Sequence, residues 1–232
     1  MAHRDHLVSV VDATSVKTLV LCGGNGKRWA GFKGAPKHLL RIEGERLLDR
    51  TVRQFAGFSE VEIVARPRTY GYHHPQALTV EARLDPNNFG ADRFRSSRDR
   101  WDGLTILVYG DVWFSDEAVV RIADWAHHQT DWRWIARMDR SEVTGKRYGE
   151  GFGFILPPDT HQLFDAAVGE GIELCRAGVD DVVGWTVYRI MAGGDGFTHE
   201  DLGHLLSVDD WTEDFDWPRD YIDWMQRRLG NI

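Results

Sequence analysis

The chain has 232 residues, of which 42% are apolar and 28% are charged, enough for one sizeable α/β core and too few for two independent ones. We therefore expect a single domain over residues 17–232, preceded by an N-terminal extension at residues 1–16. The formal net charge of −8 argues against a general nucleic-acid-binding protein, which usually presents a basic face.

The cysteines and the apolar segments favour a cytoplasmic protein. Cys22 and Cys175 are far apart and form no CxxC spacing, so they indicate neither a disulfide framework nor a zinc knuckle, and a reducing compartment fits. No stretch approaches the ~18 consecutive apolar residues of a membrane span. We expect no membrane partner, and the oligomeric state stays open.

In the first half of the chain, short β-like runs alternate with helical patterns. Apolar runs predict strands at residues 18–22, 61–65, 78–82 and 104–109, the third being the weakest and the last the strongest. The spacing over 47–58 predicts an amphipathic helix. Ser115 is followed by two acids and predicts the N-cap of a helix that runs to about His128, because its oxygen can accept a backbone N–H at the helix start.

The second half continues the alternation. The segments "WRWIARM" and "FGFIL" predict two strands around a polar loop at 139–151, and Pro157-Pro158 precedes a helix that reaches about Arg176. A short strand at 205–208 and a helix that begins near Pro218 complete the order. The chain therefore predicts an α/β fold with a mostly parallel sheet and helices on both faces, in which ligands bind at the carboxyl ends of the strands.

The stretch "LCGGNGKRWAGFKGAPKH", residues 21–38, follows the first predicted strand directly and so lies at that edge. A Walker loop is excluded, because Arg28 stands where a serine or threonine hydroxyl is required. A dinucleotide fingerprint fits poorly, because Trp29 occupies the position of the third glycine. The remaining pattern is G-G-x-G-x-R over residues 23–28, followed by Pro36-Lys37.

Such a loop is suited to a triphosphate. Glycines allow successive backbone N–H groups to turn toward phosphate oxygens, and the planar guanidinium of Arg28 can bind two oxygens at once. The alternative is a glycine-rich surface turn with solvated cations. We expect the nucleotide to be bound by Cys22, Gly23, Gly24, Asn25, Gly26, Lys27 and Arg28.

Carboxylates follow the strongest strand and recur near the carboxyl terminus. Asp111 comes directly after the strand at 104–109 and Gly110, at the edge where magnesium bound to a nucleotide would lie, and we expect it to be a metal ligand rather than a turn aspartate. The segment "SVDDWTEDFDWPRDY" contains further acids, and Asp214 and Asp216 form a D-x-D pair whose side chains point the same way on an extended chain.

These motifs resemble those of nucleotidyltransferases with a Rossmann-like, glycosyltransferase-A-like fold, namely the sugar-1-phosphate nucleotidylyltransferases and their molybdenum-cofactor and cytidylyltransferase relatives. The similarity is strongest over residues 18–55 and returns at "ILVYGDVWFSD" and "TEDFDWPRDY". The resemblance implies that Asp216, which begins a D-x-P-x-D segment, is the second metal ligand, with Asp214 as the alternative. It also implies that Lys37 points at the α-phosphate or the acceptor phosphate. The other acids of this segment are expected to be caps or solvated charges, namely Asp209, Asp210, Glu213 and Asp220.

The implied reaction is NTP + sugar phosphate → NDP-sugar + pyrophosphate, with Mg²⁺ as cofactor and with Arg28 and Lys37 as catalytic residues. An acceptor phosphate, with a second pKa of about 6, needs no protein base to attack the α-phosphorus. Candidate acceptor-binding residues are Tyr148, Glu150 and Trp185. Two rival functions stay open: a glycosyltransferase that holds a nucleotide-sugar through Asp214-Phe215-Asp216, and a non-catalytic nucleotide-binding module.

Overall fold

The computed structural model describes residues 15–24, 26–66, 72–84, 92–128, 131–178, 184–194 and 201–230. The predicted N-terminal extension lies outside the described residues except at its end, where Val16 already belongs to the first strand. Asn25 of the predicted nucleotide-binding loop also lies outside them, as does the side chain of Lys27.

Seven strands form the central sheet. They are β1 (Val16–Cys22), β4 (Glu60–Ala65), β5 (Leu78–Glu81), β6 (Leu104–Tyr109), β8 (Arg133–Arg137), β9 (Glu150–Leu156) and β10 (Leu205–Ser207). Their spatial order is β10-β8-β9-β6-β1-β4-β5. Strand β9 is antiparallel to both of its neighbours, whereas the other pairs are parallel. The prediction of a mostly parallel sheet is thus confirmed, and each strand of the sheet had been predicted within a few residues.

The described α-helices are α1 (Leu47–Phe55), α2 (Asp92–Arg95), α3 (Asp116–His128), α4 (His161–Arg176), α5 (Gly184–Met191) and α6 (Pro218–Gly230). Ser115 caps α3 as predicted, because the backbone N–H of Ala118 donates to its Oγ at 2.9 Å. Helices α2 and α5 were not predicted. No helix in the described part of the chain is long and apolar enough to cross a membrane.

An irregularity in β9 shows how the helices cover the sheet. The pairing register between β8 and β9 shifts at Ile135/Ala136, which leaves Phe152 as an extra residue. Phe154 packs against Phe164 of α4, with ring centroids 4.9 Å apart, whereas Phe152 contacts Phe114, which precedes α3, at 6.4 Å. Helix α4 also contacts α2 and α5, and α1 contacts α3. The two groups of helices therefore cover opposite faces of the sheet.

Two small antiparallel ladders lie outside the central sheet, β2 (Arg41–Ile42) with β3 (Glu45–Arg46) and β7 (Val112–Trp113) with β11 (Glu213–Asp214). The second ladder places Asp214 opposite Val112 and so joins the carboxyl-terminal segment to the end of β6. Neither of its strands was predicted. This pairing positions the carboxylates of the site described next.

Candidate active site

The glycine-rich loop leaves the carboxyl end of β1 and continues as a 3₁₀ turn at Lys27–Trp29. Gly26 has a φ of 61°, a left-handed conformation that glycine adopts without strain. Trp29 is 2% exposed, its indole N–H donates to the carbonyl of Ala35 at 3.1 Å, and its ring packs edge-on against Phe32. Trp29, which breaks the dinucleotide fingerprint, thus anchors the loop in an apolar cluster and leaves Gly24 exposed.

Gly110 brings the ends of β1 and β6 close together. Its backbone N–H donates to the carbonyl of Leu21 at 3.1 Å, and a Cβ at this position would lie 2.5 Å from Sγ of Cys22. Cys22 is 1% exposed, and burial, with the charge of Asp111 adding to it, raises the pKa of its thiol. The side chain of Cys22 is therefore packed inside, and only its backbone could reach a nucleotide.

Lys37 lies among three carboxylates. Its Nζ contacts the carboxylate of Asp111 directly and lies 3.6 Å from Oδ1 of Asp216 and 3.9 Å from Oδ1 of Asp214. Arg28 joins the same group, because its Nη1 donates to Oδ2 of Asp216 at 2.5 Å. The structure thus brings together both predicted catalytic cations, the two predicted metal ligands Asp111 and Asp216, and the alternative ligand Asp214. We call these five residues the Lys37 cluster.

The ionisation of the Lys37 cluster follows from its burial and its charges. Burial favours the neutral form of Asp111, but the charge of Lys37 outweighs it, so the pKa of Asp111 lies well below its usual range. Burial also opposes the charge of Lys37, but the carboxylates of Asp111, Asp214 and Asp216 raise its pKa above the ordinary value. Asp214 differs, because burial and the nearby charge of Asp111 raise its pKa.

The Lys37 cluster has the chemistry of a magnesium site that is completed by substrate. No group of three or more histidine, cysteine or acidic side chains in the described residues is arranged to hold a metal by itself. However, Mg²⁺ is commonly bound by one or two carboxylates together with substrate phosphates. Oδ1 of Asp214 is buried and has no hydrogen-bond partner, so it is available as a ligand. Asp111, Asp214 and Asp216 therefore fit the ion, and their positions do not separate Asp214 from Asp216 as the second ligand.

Lys146 is a second buried cation, and its structural role was not predicted from the sequence. Lys146 is 9% exposed, and its Nζ lies 3.1 Å from Oδ2 of Asp220, 3.4 Å from Oε2 of Glu150 and 3.2 Å from the carbonyl oxygen of Asp214. Burial opposes its charge, but the surrounding acids, Glu150 first among them, raise its pKa. Lys146 therefore ties the loop before β9 to the strand that carries Asp214.

The expectation that Glu213 is a cap or a solvated charge was wrong. Its side chain is buried, accepts hydrogen bonds from Nη2 of Arg137 at 3.2 and 3.3 Å, and accepts one from the hydroxyl of Thr144 at 2.5 Å. A buried carboxylate needs such partners. No spacing in the sequence distinguishes Glu213 from the other acids of this segment, because its partners come from a different part of the chain.

The three candidate acceptor residues have different surroundings. Glu150 begins β9, and burial raises its pKa to about 7, the charge of Lys146 opposing and those of Glu213 and Asp216 adding to the effect. Its Oε2 has no hydrogen-bond partner. Tyr148 is 51% exposed and lines a cavity of about 700 Å³ between its loop and α6. Trp185 in α5 is partly buried and packs against the ring of Trp134, 5.7 Å between centroids.

The glycine-rich loop and the carboxylates meet at the carboxyl edge of a mostly parallel sheet, as the resemblance to nucleotidyltransferases implied. Comparison with known families agrees with this class: residues 18–140 match the model of the MobA-like NTP transferase domain, and the chain belongs to that family. The protein is therefore a nucleotidyltransferase. No curated protein matches the chain in sequence.

Several solved structures with similar folds are described as nucleotidyltransferases. A nucleotidyl transferase from Methanothermobacter has a TM-score of 0.62 at 16% identity, with 94% of this chain and 99% of that chain covered. The 2-C-methyl-D-erythritol 4-phosphate cytidylyltransferase of Thermus thermophilus has a TM-score of 0.57 at 15% identity, with coverage of 94% and 100%. The inositol-1-phosphate CTP transferase of T. maritima has 0.56 at 14%, with coverage of 94% and 98%. At these identities the similarity shows the glycosyltransferase-A-like fold alone.

Proposed function

We propose that the protein transfers a nucleotidyl group from an NTP to a sugar phosphate or a similar phosphomonoester, giving an NDP-sugar or its equivalent and pyrophosphate, in a Mg²⁺-dependent reaction. The observation that carries the proposal is the convergence of Arg28, Lys37 and three carboxylates beside the glycine-rich loop. A turn that served only the fold would not need two cations and three acids at one sheet edge.

The chain's own groups would position the reactants and offset their charge. The exposed loop around Gly24 would hold the triphosphate through its backbone N–H groups, while Arg28 and Lys37 would bind phosphate oxygens. An oxygen of the acceptor phosphate forms a bond to the α-phosphorus as the bond from that phosphorus to the bridging oxygen breaks, and pyrophosphate leaves. When bound, Mg²⁺ would supply additional positive charge at the phosphates. No protein nucleophile is required, because the acceptor is already dianionic.

The acceptor would lie near Glu150 and Tyr148. Oε2 of Glu150 is buried in an ion pair with Lys146 but makes no hydrogen bond, and it could accept one from a sugar hydroxyl. The half-exposed ring of Tyr148 offers an apolar wall. The role of Trp185 stays a prediction, as does a cytoplasmic location, which rests on two free thiols. Two structurally similar proteins are named for phosphomonoester substrates, 2-C-methyl-D-erythritol 4-phosphate and inositol-1-phosphate. These names support a phosphomonoester as the acceptor.

Pyrophosphate release tests the proposal. The four NTPs and dTTP are each combined with a panel of sugar phosphates, and we expect release only with Mg²⁺ and both substrates. Asp111→Asn should lower the rate by roughly a hundredfold or more, because the Mg²⁺ that offsets the phosphate charge then loses one of its carboxylate ligands. Asp124→Asn, at a 75% exposed side chain of α3, is the matched control and should leave the rate unchanged.

Three results would count against the proposal. Full turnover by Asp111→Asn would show that this residue does not hold the metal. Tight NTP binding without pyrophosphate from any acceptor would favour the non-catalytic module. Release of a nucleoside diphosphate from a nucleotide-sugar would favour the glycosyltransferase.

A further inference from the structure

The ammonium of Lys37 lies among the three acids that are the candidate metal ligands. Its side chain is 10% exposed, and its ammonium lies within 4.0 Å of oxygens from Asp111, Asp214 and Asp216. These residues come from two distant parts of the chain that meet only in the fold. A lysine that served only to bind phosphate would not need to contact every candidate metal ligand.

We propose that Lys37 is an exchangeable counter-ion: its ammonium holds the carboxylates in the nucleotide-free protein and moves to the triphosphate when NTP and metal bind together. The inference rests on the proposed function and adds that metal and nucleotide bind together and not one at a time. Metal alone binds weakly, because Lys37 must first leave. Nucleotide alone also binds weakly, because removing Lys37 takes away the cation that contacts Asp111 and leaves only Arg28, which pairs with Asp216.

The charges explain why metal can bind the acids only when Lys37 leaves them, and why Lys37 leaves them only when metal binds. A divalent cation bound to Asp111 while Lys37 remained there would place two positive groups a few ångströms apart in a largely buried site, where charges interact more strongly than in water. If Lys37 left without a replacement, Asp111 would become a buried charge that has lost its partner, which is strongly unfavourable. When NTP and metal bind together, the metal ion pairs with the carboxylates and Lys37 pairs with the triphosphate.

Arg28 can change partners at lower cost. Its side chain is 53% exposed and reaches the cluster through a single pair with Asp216, so water can solvate it as it turns. Lys33, in the same loop, is different, because its Nζ bonds to the hydroxyl of Tyr221 at 3.0 Å and lies over that ring. Lys33 therefore provides a matched lysine outside the exchange.

The consequence is positive coupling between metal and nucleotide. Coupling is reciprocal, so the metal must increase nucleotide affinity by the same factor by which nucleotide increases metal affinity. We expect a factor of at least about 10, within the usual range for coupled sites. In the absence of nucleotide, removing the ammonium of Lys37 should increase metal affinity by a similar factor.

The effect of Lys37 on metal affinity can be measured without turnover from Mn²⁺ binding, monitored by electron paramagnetic resonance. Wild type, Lys37→Met and Lys33→Met are titrated with Mn²⁺ alone. We expect Lys37→Met to bind Mn²⁺ about tenfold more tightly than wild type, and Lys33→Met to match wild type. Equal or weaker binding by Lys37→Met, or tight binding by wild type without nucleotide, would overturn the inference.

Thermal unfolding covers the case in which Lys37→Met is unstable. The variant should have a lower Tm than wild type, because its carboxylates are uncompensated, and millimolar Mg²⁺ alone should raise the Tm of the variant but not of wild type. If the variant does not fold, the wild-type Mn²⁺ titration still decides. An enzyme that releases pyrophosphate, but in which Lys37→Met does not strengthen Mn²⁺ binding, contradicts only this inference. Stronger Mn²⁺ binding by Lys37→Met in a protein that releases no pyrophosphate contradicts only the proposed function.

Discussion

Gly24 offers the sharpest test of the loop at the level of a single residue. A Cβ added there would have no protein atom within 4 Å, so Gly24→Ala should fold as well as wild type. If the loop holds a triphosphate, however, the new methyl group would meet the ligand, and we expect NTP affinity to fall about tenfold, or ~1.4 kcal/mol. Isothermal titration with a non-hydrolysable NTP analogue measures this change.

The control for Gly24→Ala is Gly230→Ala at the end of α6, where an added Cβ also meets nothing within 4 Å. Both variants should unfold at the wild-type temperature, and Gly230→Ala should keep wild-type affinity. Unchanged affinity in Gly24→Ala would mean that no phosphate approaches this part of the loop.

The residues of the site differ in how far sequence could predict them. Arg28, Lys37 and Asp111 follow strand ends or glycines, so their positions at one sheet edge could be inferred from the strand pattern. Lys146 and Glu213 could not be identified as buried, because charged side chains are usually exposed and each becomes buried only through partners that the fold supplies.

At the level of elements, the buried pair of Arg137 and Glu213 joins β8 to β11. Both side chains are almost fully buried, at 3% and 2% exposure. Glu213→Leu should therefore destabilise the protein by about 3 kcal/mol or more, because Arg137 is left as an uncompensated buried charge. The free energy of unfolding in urea measures the loss. Because Asp214 is the neighbour of Glu213 in β11, turnover should fall as well.

Two further variants separate the charge from the packing. Replacing both partners, as in Arg137→Met with Glu213→Leu, should recover much of the lost stability, because Arg137 is then no longer an uncompensated buried charge. Glu142→Ala removes an ion pair with Arg140 in which both side chains are exposed, and should change stability by less than about 0.5 kcal/mol. A double variant no more stable than Glu213→Leu would contradict this explanation.

The elements themselves show why some could be predicted and others could not. Strand β6 has six consecutive buried residues, and Ser115 with the acids after it marks the start of α3, so both were clear from local sequence. Strands β7 and β11 are two residues long each and exist because they pair with each other across the fold. No local pattern indicates such a ladder, although it carries Asp214 to the site.

At the level of the whole molecule, the site requires both ends of the chain. The family match ends at residue 140, yet Asp214 and Asp216 lie well beyond it. The apolar cluster that anchors the loop through Trp29 also contains Tyr221 and Trp224 of α6. The glycine-rich loop and the second pair of acids, Asp214 and Asp216, are therefore held in place by one shared core. For this reason we expect conservative packing changes on the buried face of α6 to affect nucleotide binding.

We propose that the loop at residues 23–28 holds a triphosphate and that Asp111 shares its metal ion with Asp214 or Asp216. A crystal structure with a non-hydrolysable NTP analogue and Mn²⁺ would show both contacts. We predict phosphate oxygens on the loop amides, on Arg28 and on Lys37, with the metal bound to Asp111 and to Asp214 or Asp216. A triphosphate bound elsewhere, or a metal that contacts none of these acids, would show that the glycine-rich loop and the acids do not form the nucleotide site.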